Sequence, residues 1–219
     1  MKGSKTIAVA LLAWSVAGLA AAEEVDTSAH DLVQRTSEDL LTLIEESRSY
    51  VKEDPERFYN AVEALLSPVI DFKGFARRVM SVHYRKATDE QRERFAENFK
   101  WGLVRTYALT LTEFKNGRIL VLPPDGPPRN PKRRNVKMEI HTSGDVYPVV
   151  YTMSLNKAGE WRIGNIVIAG VNMGLTYRSQ FVSAAADNKY RGNLDQVIDA
   201  WAAVVAADDE DASETGSGP

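Results

Sequence analysis

The stretch VKMEIHTSGDVYPVVYTMSLNKAGEWRIGNIVI, residues 136–168, decides the fold. Apolar and polar residues alternate in 136–140, which is typical of a strand with one solvated face. The segment 146–155 has the period of a second strand, and Ser143-Gly144-Asp145 predicts a hairpin turn between the two. Because such a short connection joins antiparallel neighbours, we expect an antiparallel meander here.

Two further strands flank this hairpin in the sequence. After a turn at Asn156–Gly159, residues 161–168 are apolar at nearly every position, which indicates a central strand packed on both faces. Arg118–Leu122 is a short apolar run that is stopped by two prolines. The sequence therefore predicts an antiparallel sheet of about four strands.

Four helices are predicted before the strands, and capping residues mark most of their starts. Apolar residues recur at helical spacing in 29–50. Asp54-Pro55 is an N-cap followed by proline at the first helical position, and Asp71 can cap a third, short helix. Thr88–Gln91 is a capping box that opens the longest helix, which is expected to end near residue 114.

Two more helices are predicted after the strands, over 175–188 and from a cap at Asn193. Between strand and helix, Gly170–Gly174 has the glycine spacing of a nucleophile elbow, but its central residue, Asn172, cannot act as a nucleophile there. We interpret the segment as a strand-to-helix turn with Asn172 as a helix cap. The order of elements predicts an α+β domain, with helices from both ends of the chain covering the sheet.

The N-terminus carries the pattern of an export signal. Lys2 and Lys5 precede an apolar run over 7–19, and small residues follow it. This order predicts a cleaved signal peptide over residues 1–22. The alternative, a membrane anchor, is disfavoured because spanning a bilayer takes about 20 apolar residues. The remainder, 23–206, is expected to form a single soluble domain.

Composition excludes several classes of protein. The chain has no cysteine, so it has no disulfide framework, no thiolate ligand and no lipoprotein anchor. It has 27 basic and 30 acidic residues, and five of the acids lie in 207–219. Without that tail, and without Lys2 and Lys5 of the predicted signal peptide, 25 basic residues balance 25 acidic ones, which argues against nucleic acid as a partner. The acidic, non-periodic tail is predicted to be disordered.

Candidate catalytic and metal-binding residues are few. His30, His83 and His141 do not stand at ligand spacing from one another or from acid clusters. Asp71 has a simpler role as a helix cap than as a general acid or base. We therefore predict no catalytic residue, no metal site and no cofactor.

Two basic segments each allow more than one interpretation. Arg77-Arg78 could bind phosphate oxygens bidentately, or could lie on a solvated or internally paired helix face. Arg129 and Lys132–Arg134 form a basic loop that could dock on an acidic partner or an anionic membrane, or could simply be solvated.

Apolar faces are more numerous than one small core requires. Apolar faces that must be buried occur on the long helix, on the last two helices and on the 161–168 strand. Their packing could close fully or leave a pocket, and the residues alone leave both open. The facing surfaces would carry Tyr151, Met153 and Ile163 on the sheet, and Phe99, Leu103 and Tyr107 on the long helix.

Several segments, in this order and spacing, resemble the MlaC family of periplasmic phospholipid-binding proteins, also called toluene-tolerance auxiliary proteins. The likeness spans about residues 32–201, and the acidic tail lies outside it. The segments that carry it are Val69–Phe72, Ala76–Val79, Ala87-Thr88, Glu90–Arg92, Phe95, Phe99, Arg105–Tyr107, Trp161–Ile163, Val167, Gly170-Val171, Tyr177–Phe181, Gly192–Asp195 and Ile198.

The resemblance implies a periplasmic carrier that shuttles phospholipid and so maintains outer-membrane lipid asymmetry. Its implied partners are an inner-membrane ABC transporter with an MCE-domain subunit and an outer-membrane lipoprotein–porin complex. The implied cargo lies in an apolar cavity, and no cofactor is involved. The alternatives are an interaction module without ligand and a small-molecule enzyme with an apolar pocket. The two facing apolar surfaces give the predicted lipid-binding residues: Phe75, Val79, Phe99, Leu103, Tyr107, Val149, Tyr151, Met153, Ile163, Val167, Val171, Tyr177 and Phe181.

Overall fold

The computed structural model describes residues 28–112, 117–142 and 144–201. Helices precede and follow one antiparallel sheet, which confirms the predicted α+β class. The predicted signal peptide, residues 1–22, and the acidic tail, residues 207–219, lie outside the described residues. The elements are α1 (Ser28–Ser47), α2 (Pro55–Leu66), α3 (Phe72–Met80), a 3₁₀ turn (Ser81–Arg85), α4 (Asp89–Thr112), β1 (Arg118–Val121), β2 (Arg133–His141), β3 (Val146–Leu155), β4 (Trp161–Ile168), β5 (Val171–Asn172), α5 (Met173–Ala186), a second 3₁₀ turn (Asn188–Tyr190) and α6 (194–201).

Three helices begin at the capping residues that the sequence predicts. Asp54 accepts a hydrogen bond from the backbone of the first turn of α2 at 3.1 Å. Asp71 does the same for α3, where the Gly74 amide donates at 2.9 Å. Thr88 and Gln91 exchange reciprocal bonds of 3.0 and 3.1 Å at the start of α4. These contacts satisfy amides that have no partner within the helix. A Cβ at Gly74 would lie 1.8 Å from the Asp71 carboxylate, so only glycine allows this cap.

The sheet has five strands in sequential order, one more than the estimate of about four. The additional strand, β5, pairs with the end of β4 across a two-residue turn, Ala169-Gly170. Both turn residues have positive φ, 48° and 83°, as in a tight hairpin of the primed type. A two-residue strand has no readable period, which is why this segment resembled a simple strand-to-helix turn. The predicted cap is confirmed, since Asn172 accepts from the Leu175 amide at 3.1 Å.

β2 begins at Arg133, three residues earlier than the alternation at 136–140 indicated. Arg134 pairs with Met153 across the ladder and is buried. Its guanidinium donates to backbone carbonyls of the preceding loop and lies 5.2 Å from the Trp161 ring. Arg134 is therefore a structural residue and not part of a free basic loop.

A bulge interrupts β4. Tyr151 of β3 is opposite Ile166, and Met153 is opposite Ile163, so β4 has one residue more than β3 over this interval. The extra residue is Gly164, and a bulge of this kind shifts the alternation of the side chains. Ile163 and Ile166 consequently face the same side of the sheet. The continuous apolar run of β4 arises partly from this shift, and does not require two equally covered faces.

The helices pack on one face of the sheet, whereas Asn135, Lys137 and Thr152 on the other face are exposed. Three groups of buried side chains hold the layers together. One of them, which we call the aromatic core, joins α3, α4, α5 and α6. Within the part of the chain that the structure describes, none of the helices is long and apolar enough to span a bilayer. The aromatic core contains Phe75, Val79, Phe95, Phe99, Phe181 and Ile198.

Candidate functional site

A cavity of about 260 Å³ lies between the sheet and the helices, beside the aromatic core. The sheet wall combines side chains from β1 to β4 on a single face. The bulge in β4 is what brings both Ile163 and Ile166 into this wall. The sheet-wall residues are Ile119, Met138, Ile140, Val149, Tyr151, Ile163, Ile166 and Ile168.

The helix wall is built from α1 to α5 and the segment that leads into α3. Its residues are smaller on average than those of the sheet wall, and include Thr36, Ser37 and Ala108. Thr36 uses its hydroxyl internally, donating to the Leu32 carbonyl at 2.9 Å. The helix-wall residues are Val33, Thr36, Ser37, Leu40, Val62, Leu66, Val69, Ile70, Phe72, Phe75, Leu103, Val104, Tyr107, Ala108, Met173 and Tyr177.

No residue of either wall, as far as the described residues form it, carries a formal charge. Among the described wall residues, the only polar side chains are the hydroxyls of threonine, serine and tyrosine. Burying an ionised group without a partner is strongly unfavourable, whereas burying alkyl groups is favourable. The cavity is therefore suited to hydrocarbon, and any charged part of a ligand must remain outside it.

Two tyrosines mark the place where the cavity meets solvent. The hydroxyls of Tyr107 on α4 and Tyr177 on α5 are 2.7 Å apart. Tyr107 is 40% exposed, although it also lines the cavity. The Tyr177 ring is held edge-on against Phe99, with ring centroids 5.4 Å apart. This pair bridges α4 and α5 and forms a polar rim on an otherwise apolar site.

A third tyrosine lies within the sheet wall. Tyr151 is in the middle of β3, and burial raises its pKa to about 12. Its hydroxyl has no hydrogen-bond partner among residues 28–112, 117–142 and 144–201. At neutral pH Tyr151 is therefore a neutral O–H donor inside an apolar cavity.

Seven of the thirteen predicted lipid-binding residues line the cavity, and the fold brings them together from α3, α4, α5, β3 and β4. They are Phe75, Leu103, Tyr107, Val149, Tyr151, Ile163 and Tyr177.

The other six lie elsewhere, for three physical reasons. Val79, Phe99 and Phe181 are buried in the aromatic core, because the rings of four helices pack against one another. Met153 is fully buried in the packed part of the sheet cluster. Val167 falls on the opposite face from Ile166, and Val171 in β5 is 53% exposed.

Sequence reasoning missed the contribution of α1 and α2. Val33, Ser37 and Leu40 recur at three- and four-residue spacing and all line the cavity. This spacing predicts a buried helix face, but it does not say whether the face meets another side chain or a space. Ile166 and Ile168 were missed because the bulge at Gly164 changes which residues of β4 share a face.

The arginines that were considered as phosphate-binding or docking residues differ in their contacts. Arg78 donates to the Gly164 carbonyl and lies over the Phe75 ring, and burial lowers its pKa. Arg78 therefore links α3 to β4, although its side chain is still exposed. Arg77 and Arg133 are exposed.

The histidines and Asp71, weighed above as candidate metal-binding or catalytic residues, have mainly structural neighbours in the described ranges. No three His, Asp or Glu residues there converge in a way that could hold a metal ion. His83 packs edge-on against Phe181, and His141 contacts Glu139 at 2.8 Å. Asp71 is the cap of α3, as predicted.

The chain is similar in sequence to two known proteins. One relative is the toluene tolerance protein ttg2D of Pseudomonas putida, which is 42% identical over 183 residues, or 81% of each chain. A second is the intermembrane phospholipid transport system binding protein MlaC of Haemophilus influenzae, which is 28% identical over 151 residues, or 68% of this chain and 70% of the relative.

The fold also has a solved counterpart. The phospholipid-binding protein of Ralstonia solanacearum, solved in complex with a phospholipid, superposes with a TM-score of 0.72 at 24% identity. The match covers 82% of this chain and 99% of that one. The model of the MlaC protein family matches residues 34–203. The chain therefore belongs to the MlaC family.

Proposed function

We propose that this protein is a phospholipid carrier that holds acyl chains in the cavity between the sheet and the helices, and that it catalyses no reaction. The observation that carries this proposal is an apolar cavity whose described walls contain no charged residue. Membership of the MlaC family supports it, as does the name of the Haemophilus relative.

The energetics explain why a carrier is needed. Each methylene transferred from water to an apolar site contributes about 0.8 kcal/mol, so an acyl chain is held by on the order of 10 kcal/mol. A bilayer lipid cannot cross water without shielding of this size. Broad apolar contact provides the shielding without strong polar bonds that would oppose release.

The polar end of the lipid is expected at the rim. A charged phosphate has no cationic partner among the described wall residues, so the head group is expected to stay near Tyr107 and Tyr177, where the cavity meets solvent. A head group outside the cavity predicts weak selectivity among head groups. Since small-molecule pockets typically measure about 300–1,000 Å³, the cavity of about 260 Å³ must widen to take a diacyl lipid.

The proposed location is the periplasm, reached by means of a signal peptide over residues 1–22. There the single domain, residues 23–206, would shuttle lipid between an inner-membrane ABC transporter with an MCE-domain subunit and an outer-membrane lipoprotein–porin complex. This traffic would maintain outer-membrane lipid asymmetry. Family membership and the name of the Haemophilus relative, which includes intermembrane phospholipid transport, support the assignment. The acidic tail, residues 207–219, is proposed to be disordered.

Native mass spectrometry of residues 23–219, followed by solvent extraction, tests the carrier function. We expect added masses that resolve to diacyl phospholipids. A protein that stays at its unliganded mass after incubation with phospholipid vesicles would contradict the proposal, and would favour an interaction module without ligand. Turnover of a small apolar substrate would favour the enzyme alternative.

A further inference from the structure

Tyr151 occupies the centre of the sheet wall. It is paired with Val136 of β2 and Ile166 of β4, and directly opposite residues of an antiparallel sheet point to the same face. Its side chain therefore projects among aliphatic neighbours into the layer between sheet and helices. It lines the cavity that we propose for the acyl chains.

A phenol in such surroundings is expected to have a hydrogen-bond partner. Buried tyrosine hydroxyls usually find one, and leaving one unpaired costs stability. The hydroxyls of Tyr107 and Tyr177 form a hydrogen bond with each other, with 2.7 Å between the two oxygens. The Tyr151 hydroxyl has no partner in the described part of the chain.

The missing acceptor must be neutral. No cation lines the described walls, so a phosphate or carboxylate oxygen would be buried beside Tyr151 without a counter-charge. With its pKa raised to about 12, Tyr151 is uncharged at physiological pH and offers a neutral hydroxyl. In a diacyl phospholipid the neutral acceptors nearest to the acyl chains are the two ester carbonyls.

We propose that the Tyr151 hydroxyl donates a hydrogen bond to an ester carbonyl of the bound lipid, and that it thereby makes the cavity select ester-linked over ether-linked phospholipids. This inference rests on the proposed carrier function. It assigns one residue to one atom of the cargo and predicts a preference that acyl-chain burial alone would not produce.

The test compares two lipids and two matched variants. Delipidated protein is titrated, in competition with a fluorescent lipid, with dipalmitoyl phosphatidylglycerol and with its dihexadecyl ether analogue, which lacks only the carbonyls. The variants are Tyr151→Phe and, as control, Tyr147→Phe. Tyr147 lies on the same strand but is exposed and outside the cavity wall.

For the native protein we expect the ester lipid to bind about 3- to 10-fold more tightly than the ether lipid. Tyr151→Phe should reduce this ratio to about one by weakening the ester lipid alone, whereas Tyr147→Phe should leave it unchanged. The Tyr151→Phe variant should melt at the same temperature as the native protein or above it, because it loses an unpaired hydroxyl.

Equal affinity of the native protein for both lipids would overturn the inference and leave the carrier function standing. A preference that survives in Tyr151→Phe would also overturn it, because the carbonyl would then be bound elsewhere. Failure of both lipids to bind would overturn the carrier function together with this inference.

Discussion

The aromatic core and the cavity lie side by side under the same helices, yet one is filled and the other is not. In the aromatic core, the ring centroid of Phe95 lies 4.8 Å from that of Phe181, 5.9 Å from that of Phe99 and 5.7 Å from that of Trp201. In the cavity, Tyr151 and mainly aliphatic residues such as Ile166 face the helices across about 260 Å³ of space.

Side-chain size explains the difference. The aromatic core receives large rings from several helices, and their edge-on and stacked contacts close the space between them. The cavity walls also contain rings, such as those of Phe72 and Tyr177, but short side chains such as Ser37 and Ala108 lie among them and leave the space unfilled. The same apolar composition can thus form a rigid core or a binding site, depending on which side chains meet.

Truncating one residue in each region gives the largest expected effect. Phe181→Ala should lower the free energy of unfolding by about 3–5 kcal/mol, because it opens a void in a filled core. Ile166→Ala should lower the free energy of unfolding by only about 1–2 kcal/mol, because Ile166 already faces the cavity. Urea unfolding of both variants measures the contrast. Equal losses would mean that the two regions are packed alike.

A substitution that fills the cavity should weaken phospholipid binding and leave the stability of the fold almost unchanged. Ile166→Trp places a ring in the space meant for lipid, so we expect phospholipid affinity to fall by about tenfold or more, with stability changed by about 1 kcal/mol. The matched control is Thr152→Trp, since Thr152 is exposed on the opposite face of the sheet. Equal loss of binding in both variants would place the lipid outside the cavity.

A smaller effect is expected at the rim. The hydrogen bond between Tyr107 and Tyr177 is partly exposed, so its net contribution should be about 0.5–1 kcal/mol. A double-mutant cycle with Tyr107→Phe and Tyr177→Phe measures this coupling by chemical unfolding. Additive effects of the two substitutions would show that the hydroxyls do not stabilise the junction of α4 and α5.

The smallest effect appears only at alkaline pH. The pKa of Tyr151 is raised to about 12 in the folded protein, so the folded state holds this proton more tightly than the unfolded state. Its contribution to stability is present below about pH 10, the ordinary tyrosine pKa, and is lost as the pH rises towards 12. Tyr151→Phe should therefore show a shallower decline in stability over this interval, in unfolding curves recorded in steps of pH. An identical decline would show that Tyr151 is not buried.

Local signals account for what the sequence could predict. The caps at Asp54, Asp71 and Asn172 depend on a side chain and an amide a few residues apart, so they are readable before any tertiary structure exists. The alternation in β2 and β3 likewise predicted the hairpin, because the period of a strand is a local property.

The cavity could be predicted only in part, because it depends on contacts between distant segments. The bulge at Gly164 decides that Ile166 faces the cavity and Val167 does not, and bulges leave little trace beyond a glycine inside a strand. Likewise, the spacing that places Phe99 on the inner face of α4 does not reveal that α3 and α5 fill the space beside it.

Mapping the bound acyl chain tests the central claim most directly. The protein is loaded with a phospholipid that carries a photoreactive diazirine in one acyl chain, is irradiated, and its crosslinked peptides are identified by mass spectrometry. We predict crosslinks to the cavity walls, above all to Leu103, Ile166 and Met173. Crosslinks confined to the exposed face around Thr152, or to the filled core at Phe95 and Phe181, would contradict the account.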